Sequence, residues 1–325
     1  MDQTKHSSYT SANTLPLKLL YNEKFLDAVL KRNRIVPISI NLFPTNRCNL
    51  NCSFCICKDR DKQEEMSIET IDLLFYDSAS IGTQSVVLSG GGEPTMHTDF
   101  DHILMSAKEN LLSIGMVTNG LLLIKKDLNI LNLLTWCRIS ASDDRLLSDT
   151  HKSDLEYIFS NTNVDWSFRY ILTNPNKENI VEYVKLANSN DNITHIVFVP
   201  DMNSNNNNHL SLVKEWLFEN NIDTSKCIFS SRVEENKGEK NCYFSMLKPV
   251  IAPDGNIYPC CNITNAIDKR DLKDCISMGK VEDFKRIFAK QEIFDGSICK
   301  KCIYSNYNNV LKVFKEKNLE HSEFV

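Results

Sequence analysis

The run Arg47-Cys48-Asn49-Leu50-Asn51-Cys52-Ser53-Phe54-Cys55 places three cysteines within eight residues. Three thiolates can hold three corners of an iron-sulfur cube and leave the fourth iron without a protein ligand. A closed four-cysteine site serves structure or electron transfer, whereas an open iron can bind a substrate or cofactor directly. The spacing therefore predicts a site that carries out chemistry.

Zinc is the alternative metal for this loop. A structural zinc site needs four ligands in a tetrahedron, and Cys57 is the candidate for the fourth. Four zinc ligands in so short a run would strain the chain. The three-cysteine cube is therefore the favoured interpretation.

The residues that follow the loop alternate between strand and helix patterns. Apolar alternation and short apolar runs predict strands, and helical spacing predicts the segments between them. Strands are predicted at 37–43, 85–89, 114–118, 136–140, 166–172 and 195–199; helices are predicted at 67–81, 99–110, in the leucine-rich stretch before residue 136, at 177–188 and at 211–220. About six β/α repeats predict the α/β class, with parallel strands that form a partial (β/α)6 TIM-like barrel.

Polar motifs follow successive predicted strands. The cysteine loop follows the first strand, Gly90-Gly91-Gly92-Glu93-Pro94 the second, Asn119-Gly120 the third, and Ser142-Asp143-Asp144 the fourth. Since α/β barrels build their sites at the carboxyl ends of the strands, these motifs are expected to meet at one rim.

Three segments are predicted along the chain. Residues 1–35 form an N-terminal extension with an amphipathic helix at 17–31, and residues 36–210 form the barrel. An asparagine-rich stretch at 203–208 is predicted to be a solvent loop near the boundary. Residues 211–325 lose the β/α regularity and are predicted to form a small cysteine-rich α+β domain.

Composition excludes some classes of function. The chain has 325 residues and a formal net charge of -5, so it lacks the basic footprint of a protein that binds duplex nucleic acid. No secretory signal or membrane-spanning stretch is present in the sequence given. Twelve cysteines without a signal peptide indicate thiols that are kept reduced for metal, so the expected location is cytoplasmic.

The Cys-x3-Cys-x2-Cys spacing, with Phe54 before the third cysteine and the Gly91-Gly92-Glu93-Pro94 turn about forty residues on, resembles the radical S-adenosylmethionine (SAM) superfamily. The resemblance implies that Cys48, Cys52 and Cys55 hold a [4Fe-4S] cluster whose open iron chelates SAM. It also implies that electron transfer cleaves SAM to methionine and a 5'-deoxyadenosyl radical, which abstracts a hydrogen atom from the substrate.

The same resemblance implies a set of cofactor-binding residues. The turn at the end of the second strand should receive the ammonium of SAM, Phe54 should lie near the adenine, and residues that end the fourth and fifth strands should contact ribose or a carboxylate. These candidates are Phe54, Gly90, Gly91, Gly92, Glu93, Ser140, Ser142, Asp143 and Arg169. Each of these side chains has an alternative role. Phe54 could pack in the core, Ser142 and Asp143 could cap a helix, and Arg169 could be a structural charge.

A second resemblance lies in the C-terminal segment. Cys242, Gly255, Cys260 and the pair Cys299-Lys300-Lys301-Cys302 are similar to the auxiliary-cluster domain of the SPASM and twitch subclasses. The chain has no cysteine after Cys302, so the single-cluster twitch form fits better. Independently, Asp254-Gly255 between apolar pairs predicts a hairpin that brings Cys242 and Cys260 together.

The resemblance implies that Cys242, Cys260, Cys299 and Cys302 hold an auxiliary [4Fe-4S] cluster for electron transfer or for lining the substrate pocket. A four-cysteine zinc site is the alternative. Cys227 and Cys275 are candidate catalytic hydrogen-atom donors, Cys261 is a possible substitute for Cys260, and Cys57 and Cys137 are expected to be buried small hydrophobes.

The expected function is therefore that of a radical SAM enzyme with two clusters. By analogy with relatives, its first candidate substrate is a ribosomally synthesised peptide that is crosslinked or epimerised. The alternative is a dehydrogenase, or another modifying enzyme, for a small polar metabolite such as an aminocyclitol or nucleotide. A reductase such as flavodoxin or ferredoxin is the expected electron donor. A non-catalytic iron-sulfur or zinc protein that binds ligands or relays electrons is the alternative of a different class.

Overall fold

A parallel sheet organises the chain in the computed structural model, which describes residues 11–142, 148–201, 208–230, 236–269 and 271–316. The predicted cofactor residue Asp143 and most of the asparagine-rich stretch lie outside these ranges. Seven consecutive strands, β1 to β7, pair in parallel in the order of the sequence. They are Ser39–Leu42, Ser85–Leu88, Ser113–Thr118, Trp136–Ser140, Asp165–Leu172, Ile193–Pro200 and Cys227–Phe229.

Helices connect these parallel strands, as crossover connections require. The longer ones are Ile68–Ser80, Phe100–Glu109, Asp149–Ser160, Lys177–Asn188 and His209–Glu219. Three of them begin at a side-chain cap, in which Ser67, Ser148 and Asn176 accept a hydrogen bond from the main chain of the first turn. This order of elements confirms the predicted α/β partial barrel.

The C-terminal segment extends the same sheet on its other side. Strand β9, Val250–Ile251, lies parallel to β1, and β10, Asn256–Tyr258, pairs antiparallel with β9 and with β11, Gly279–Lys280. A separate two-stranded sheet joins β8, Asn241–Cys242, to β12, Phe294–Asp295. The remaining helices are Phe244–Leu247, Ile263–Ala266, Phe284–Lys290 and Ser305–Glu316.

Two of the predicted helices are broken. The stretch predicted as one helix at 17–31 consists of helices Ser11–Leu20 and Glu23–Leu26 and a π-helical turn, Asp27–Lys31, because the side chain of Asn22 accepts from Phe25 N and starts a new helix. The leucine-rich stretch is likewise divided into a 3-10 turn and the helix Leu128–Leu131, since Asp127 caps the second piece.

The sheet buries its helix-facing residues in one continuous core. Alternate strand positions such as Ile40, Val86, Cys137 and Phe168 are at most 1% exposed and pack against the helices. The opposite face of β4 and β5 carries residues of intermediate exposure. In the part of the chain described above, no helix has both the length and the apolar composition needed to cross a membrane.

His195 on β6 gives this core a measurable sensitivity to acid. It is 5% exposed, and burial, followed by the nearby charge of Arg138, lowers its pKa to about 3. Because the folded pKa lies below the unfolded value of about 6.5, the unfolded state takes up the proton first, and stability falls as the pH drops from about 6.5 towards 3.

We expect the stability of the wild type relative to His195→Gln to fall by about 2 kcal/mol between pH 7 and pH 5. Urea unfolding at several pH values measures this difference. If both proteins lose stability in parallel, His195 does not carry the effect.

Candidate active site

The cysteine loop leaves β1 and is closed at its base by main-chain pairing. Thr45 forms an isolated antiparallel bridge with Glu65, Asn46 N donates to Glu64 O at 2.8 Å, and Met66 N donates to Pro44 O at 2.9 Å. The chain therefore returns beside the point where it left the strand. The three cysteines lie within the loop that this pairing closes.

Cys48, Cys52 and Cys55 are partly exposed, whereas Cys57 is buried. The amide of Cys55 donates to Cys52 O at 3.2 Å, and the amide of Leu50 approaches the sulfur of Cys48 at 3.4 Å. Burial raises the pKa of Cys48, and the neighbouring charges of Glu93 and Cys55 raise it further. Burial raises the pKa of Cys57 to about 12, which fits a packed thiol.

The glycine turn after β2 lies directly against this loop. Gly92 N donates to Thr45 O at 3.1 Å, and Glu93 N donates to Arg47 O at 2.7 Å. A Cβ atom at Gly92 would come within 2.2 Å of Arg47 O and 2.6 Å of Thr45 O. Only glycine allows this close approach, so the turn and the cysteine loop form one unit.

The Glu93 side chain joins this unit to the next strand end. One of its carboxylate oxygens accepts from Thr95 Oγ1 at 2.7 Å and Thr118 Oγ1 at 2.6 Å, and the other accepts from Asn119 N at 2.7 Å. Burial raises the pKa of Glu93, and these hydrogen bonds offset only part of that rise. Asn119 in turn donates to the Asn49 side chain at 2.7 Å, which connects β3 to the cysteine loop.

Two arginines within the loop, which sequence reasoning missed, stabilise its fold. Arg47 donates to Glu65 and to Met96 O, each at 2.6 Å. Arg60 is 8% exposed; it donates to Asn46 O at 2.9 Å and to Cys57 O at 2.6 Å, and it lies 3.6 Å from the sulfur of Cys55. Their positions carry no spacing signal, because each contact depends on how the loop folds back.

Residues 42–142 match the family model described as the Radical SAM superfamily. The matched region begins at the end of β1 and includes the cysteine loop, the glycine turn and β4. This part of the chain is a radical SAM domain. The match confirms the recognition made from the cysteine and glycine motifs, and with it the [4Fe-4S] cluster and SAM as the cofactors of the radical SAM domain.

Curated relatives are similar over part of the chain. GTP 3',8-cyclase of Pasteurella multocida is 30% identical over 113 residues, which cover 33% of this chain and 32% of the relative. Fe-coproporphyrin III synthase of Methanosarcina barkeri is 40% identical over 81 residues, which cover 24% of this chain and 20% of the relative. The aligned regions thus span a third or less of these relatives' length.

The fold is similar over a larger part of the chain to a solved structure. The structure of Streptococcus suis SuiB bound to precursor peptide SuiA has a TM-score of 0.60 and is 17% identical. That likeness covers 91% of this chain and 78% of the SuiB chain. At this level of identity it supports the fold of the chain as a whole.

The donor set of the radical SAM loop suits an iron-sulfur cluster. Among the described residues, no three His, Cys, Asp or Glu side chains are arranged around a single metal ion. A cube presents separate irons to separate thiolates, so its ligands stand farther apart than those of one ion. Three partly exposed thiols on a loop that the glycine turn supports are the kind of donor that a cluster requires, and cluster binding would deprotonate them.

The other predicted cofactor residues lie on the strands and loops beside this loop. Phe54 is half-buried within the loop, and Ser140 ends β4. Ser142 forms hydrogen bonds with both main-chain groups of Ile171, accepting from its amide at 2.7 Å, so it ties β4 to β5. Arg169 lies on β5 opposite Ser140 in the strand register.

The predicted auxiliary cysteines come from three segments that the fold brings together. Cys242 pairs with Phe294 between β8 and β12, Cys260 follows the predicted β9–β10 hairpin, and Gly238 N donates to Cys299 O at 2.9 Å. Burial, followed by the neighbouring thiols Cys302 and Cys299, raises the pKa of Cys242 to about 12. Burial and Cys302 raise that of Cys299 to about 11.

Two glycines that sequence reasoning did not identify allow the segments that carry Cys242 and Cys299 to approach each other. A Cβ atom at Gly238 would come within 2.1 Å of Gly296 O, and one at Gly296 within 2.6 Å of Glu239 O. The two segments therefore pack backbone to backbone beside Cys242 and Cys299. No sequence pattern around either glycine distinguishes it from an ordinary loop glycine.

The candidate hydrogen-atom donors occupy different places. Cys227 is buried at the start of β7, and burial, then the charge of Asp223, raises its pKa to about 12. Cys275 is buried, and burial, then the charges of Asp274 and Asp271, raises its pKa to about 12. Cys261, the possible substitute for Cys260, instead forms a 3.0 Å hydrogen bond with Tyr304.

Proposed function

We propose that the chain reductively cleaves SAM and abstracts a hydrogen atom from a substrate carbon. The observation that carries the proposal is the backbone contact between the cysteine loop and the glycine turn at Gly92. We infer that this contact holds the three thiols beside main-chain acceptors in the turn. When bound, the cluster and SAM would supply a 5'-deoxyadenosyl radical.

The loop and the turn would each bind a different part of the cofactor assembly. Cys48, Cys52 and Cys55 would hold the cluster and leave one iron for the nucleotide. Among the described residues, no main-chain donor bonds to the carbonyl oxygens of Gly90 and Gly91, and these oxygens would accept from the ammonium group. Glu93 would position the turn through its hydrogen bonds to Thr95, Thr118 and Asn119 and would not contact SAM directly.

Further contacts to SAM are proposed on the strands. Phe54 would lie against the adenine, and the hydroxyl group of Ser140 would contact the ribose. Ser142 would act indirectly, because its hydroxyl group is engaged with Ile171. Arg169 and Asp143 remain candidates for contacts to a carboxylate and to the ribose.

Reductive cleavage of SAM tests the proposed function directly. Anaerobically reconstituted protein with a chemical reductant, or with reduced flavodoxin or ferredoxin, should form 5'-deoxyadenosine and methionine. If the protein contains the cluster but forms no deoxyadenosine above the background measured without reductant, the enzyme proposal is wrong. The non-catalytic class would then be favoured.

A second, auxiliary [4Fe-4S] cluster at Cys242, Cys260, Cys299 and Cys302 is also proposed, as in twitch proteins. We expect about eight iron atoms per reconstituted chain and about four in Cys299→Ala, because a four-thiolate cluster is lost with its ligand. Iron, sulfide and zinc analysis measures this. About four iron atoms with one zinc in the wild type would assign zinc to the C-terminal site.

The substrate has two candidate classes. Peptide modification is the first, because SuiB, which shares this fold over most of the chain, is bound to a precursor peptide in its structure. A small polar metabolite is the second, and GTP 3',8-cyclase among the relatives supports it. Cys227 and Cys275 remain candidate hydrogen-atom donors in either case.

A further inference from the structure

Three segments meet at the C-terminal pair of cysteines. They are residues 236–240, 263–269 and 294–302. Gly238 N donates to Cys299 O at 2.9 Å, which joins the first segment to the third. Lys300 N donates to Ala266 O at 2.8 Å, which joins the second segment to the third. Because these are main-chain hydrogen bonds, the side chains of all three segments are brought to the same part of the surface.

Exposed lysines project from each of the three segments. They are Lys237, Lys240, Lys269, Lys300 and Lys301. We call these five residues the auxiliary lysine surface. Lysine ammonium groups are compact and strongly hydrated, so they attract an acidic partner across water without needing a fixed geometry.

The charge of the auxiliary lysine surface is only partly offset within its own segments. The acidic side chains of these segments are Glu239, Asp268 and Asp295. Glu239 pairs with Lys312 at 3.1 Å, and Asp268 pairs with Lys300 at 2.8 Å. Five lysines against three carboxylates leave the segments with an excess of positive charge.

This local excess contrasts with the rest of the chain. The formal net charge of -5 repels an acidic protein on average. Along the N-terminal cysteine loop the exposed charges alternate in sign, with Lys58 and Lys62 on either side of Asp59 and Asp61. An acidic protein would therefore be steered to the auxiliary lysine surface and not to that loop.

The auxiliary lysine surface adjoins the proposed auxiliary ligands. Two of its lysines separate Cys299 from Cys302 in the sequence, and Cys302 is partly exposed. A Cβ atom at Gly238, next to Lys237, would come within 2.8 Å of the Cβ atom of Cys299. A redox centre in a protein docked here would thus lie close to the cysteine pair, as electron transfer between two proteins requires.

We propose that the auxiliary lysine surface docks a small acidic one-electron carrier protein. This inference rests on the proposed function, because it takes the C-terminal cysteines to hold the auxiliary cluster. The carrier would be reduced by one electron as the reduced cluster returns to its oxidised state, and a flavin carrier would also take up a proton from water. Interfaces of this kind are small, and their charges mainly guide the encounter.

Carrier binding to the reconstituted full-length protein tests this proposal without any turnover. Oxidised flavodoxin and oxidised [2Fe-2S] ferredoxin, both acidic, are titrated separately by calorimetry at low and at high ionic strength. We expect saturable binding by at least one carrier, weakened by salt. At low salt it should weaken about tenfold or more in the double variant Lys237→Glu, Lys240→Glu.

The matched control is the double variant Lys58→Glu, Lys62→Glu. It makes the same change of charge beside the N-terminal cysteine loop, where the lysines are equally exposed, and it should leave the affinity unchanged. An equal loss in both double variants would mean that only the net charge of the chain matters, contrary to the proposal. A loss in the control alone would assign docking to the N-terminal loop.

Two further outcomes would overturn the proposal. One is the absence of saturable binding by either carrier. The other is equally tight binding of a single-stranded RNA that is weakened by the same lysine variant, which would assign the surface to nucleic acid. The titration uses oxidised carriers and needs no electron, so a failure to cleave SAM would count against the proposed function alone.

Iron content covers the case in which charge reversal disturbs the C-terminal site. The variant Lys237→Glu, Lys240→Glu should retain the iron of the wild type, because it changes only exposed side chains. Lys269→Glu, in a different segment, should weaken carrier binding in the same direction by a smaller factor. If affinity falls only in variants that have also lost iron, the lysines support the cysteine site and do not dock a carrier.

Discussion

Replacing Cys52 by alanine is expected to lower 5'-deoxyadenosine formation by more than about a hundredfold. Even residues that only support a metal ligand cost about 10–100-fold in metal affinity or activity when they are changed, and Cys52 is a proposed ligand itself. The loop contains no substitute at the same place, because Cys57 is buried and its carbonyl is held by Arg60. The measurement is deoxyadenosine yield per iron after anaerobic reconstitution.

Cys57→Ala is the matched control for this experiment. It removes a thiol from the same loop, but one that is 4% exposed and packs as a small hydrophobe. We expect this variant to retain cluster content and SAM cleavage, with a modest loss of stability. If both variants lose the cluster equally, Cys57 ligates metal together with the other three cysteines of the loop. The proposal of an open three-thiol site would then be wrong.

The location of this site could be predicted from sequence because its signals are local. Cysteine spacing, a glycine turn after an apolar strand and regular β/α alternation are all contained in short windows. Parallel strands then bring their carboxyl ends to one edge whatever the details of packing. This is why the cysteine loop and the turn at Gly92 could be expected to lie together.

What the sequence could not predict depends on contacts between distant residues. Arg60 reaches the sulfur of Cys55 only because the loop is closed by the pairing of Thr45 with Glu65. Cys261 bonds to Tyr304 only because segments 43 residues apart in the sequence pack together. The break at Asn22 was missed for another reason: the cap competes with an apolar periodicity that continues through it.

Gly92→Ala is the second change with a large expected effect. Its Cβ atom would lie 2.2 Å from Arg47 O, 2.5 Å from Asn46 C and 2.6 Å from Thr45 O, all of them backbone atoms. Backbone cannot rotate away as a side chain can, so the cysteine loop must move. We expect a loss of about 3 kcal/mol in unfolding free energy. We also expect loss of the N-terminal cluster, measured as iron per folded chain and as SAM cleavage.

Gly82→Ala separates this effect from the ordinary cost of replacing a glycine. Gly82 has a φ of +107°, and a Cβ atom added there would meet no atom within 4 Å, so alanine adds backbone strain without touching the cysteine loop. It should lose stability but retain its iron and its SAM cleavage per folded chain. Because the two variants share the same chemical change, iron loss confined to Gly92→Ala would trace cluster assembly to the contact with Arg47 and Thr45. Equal iron in both variants would contradict the role given to that contact.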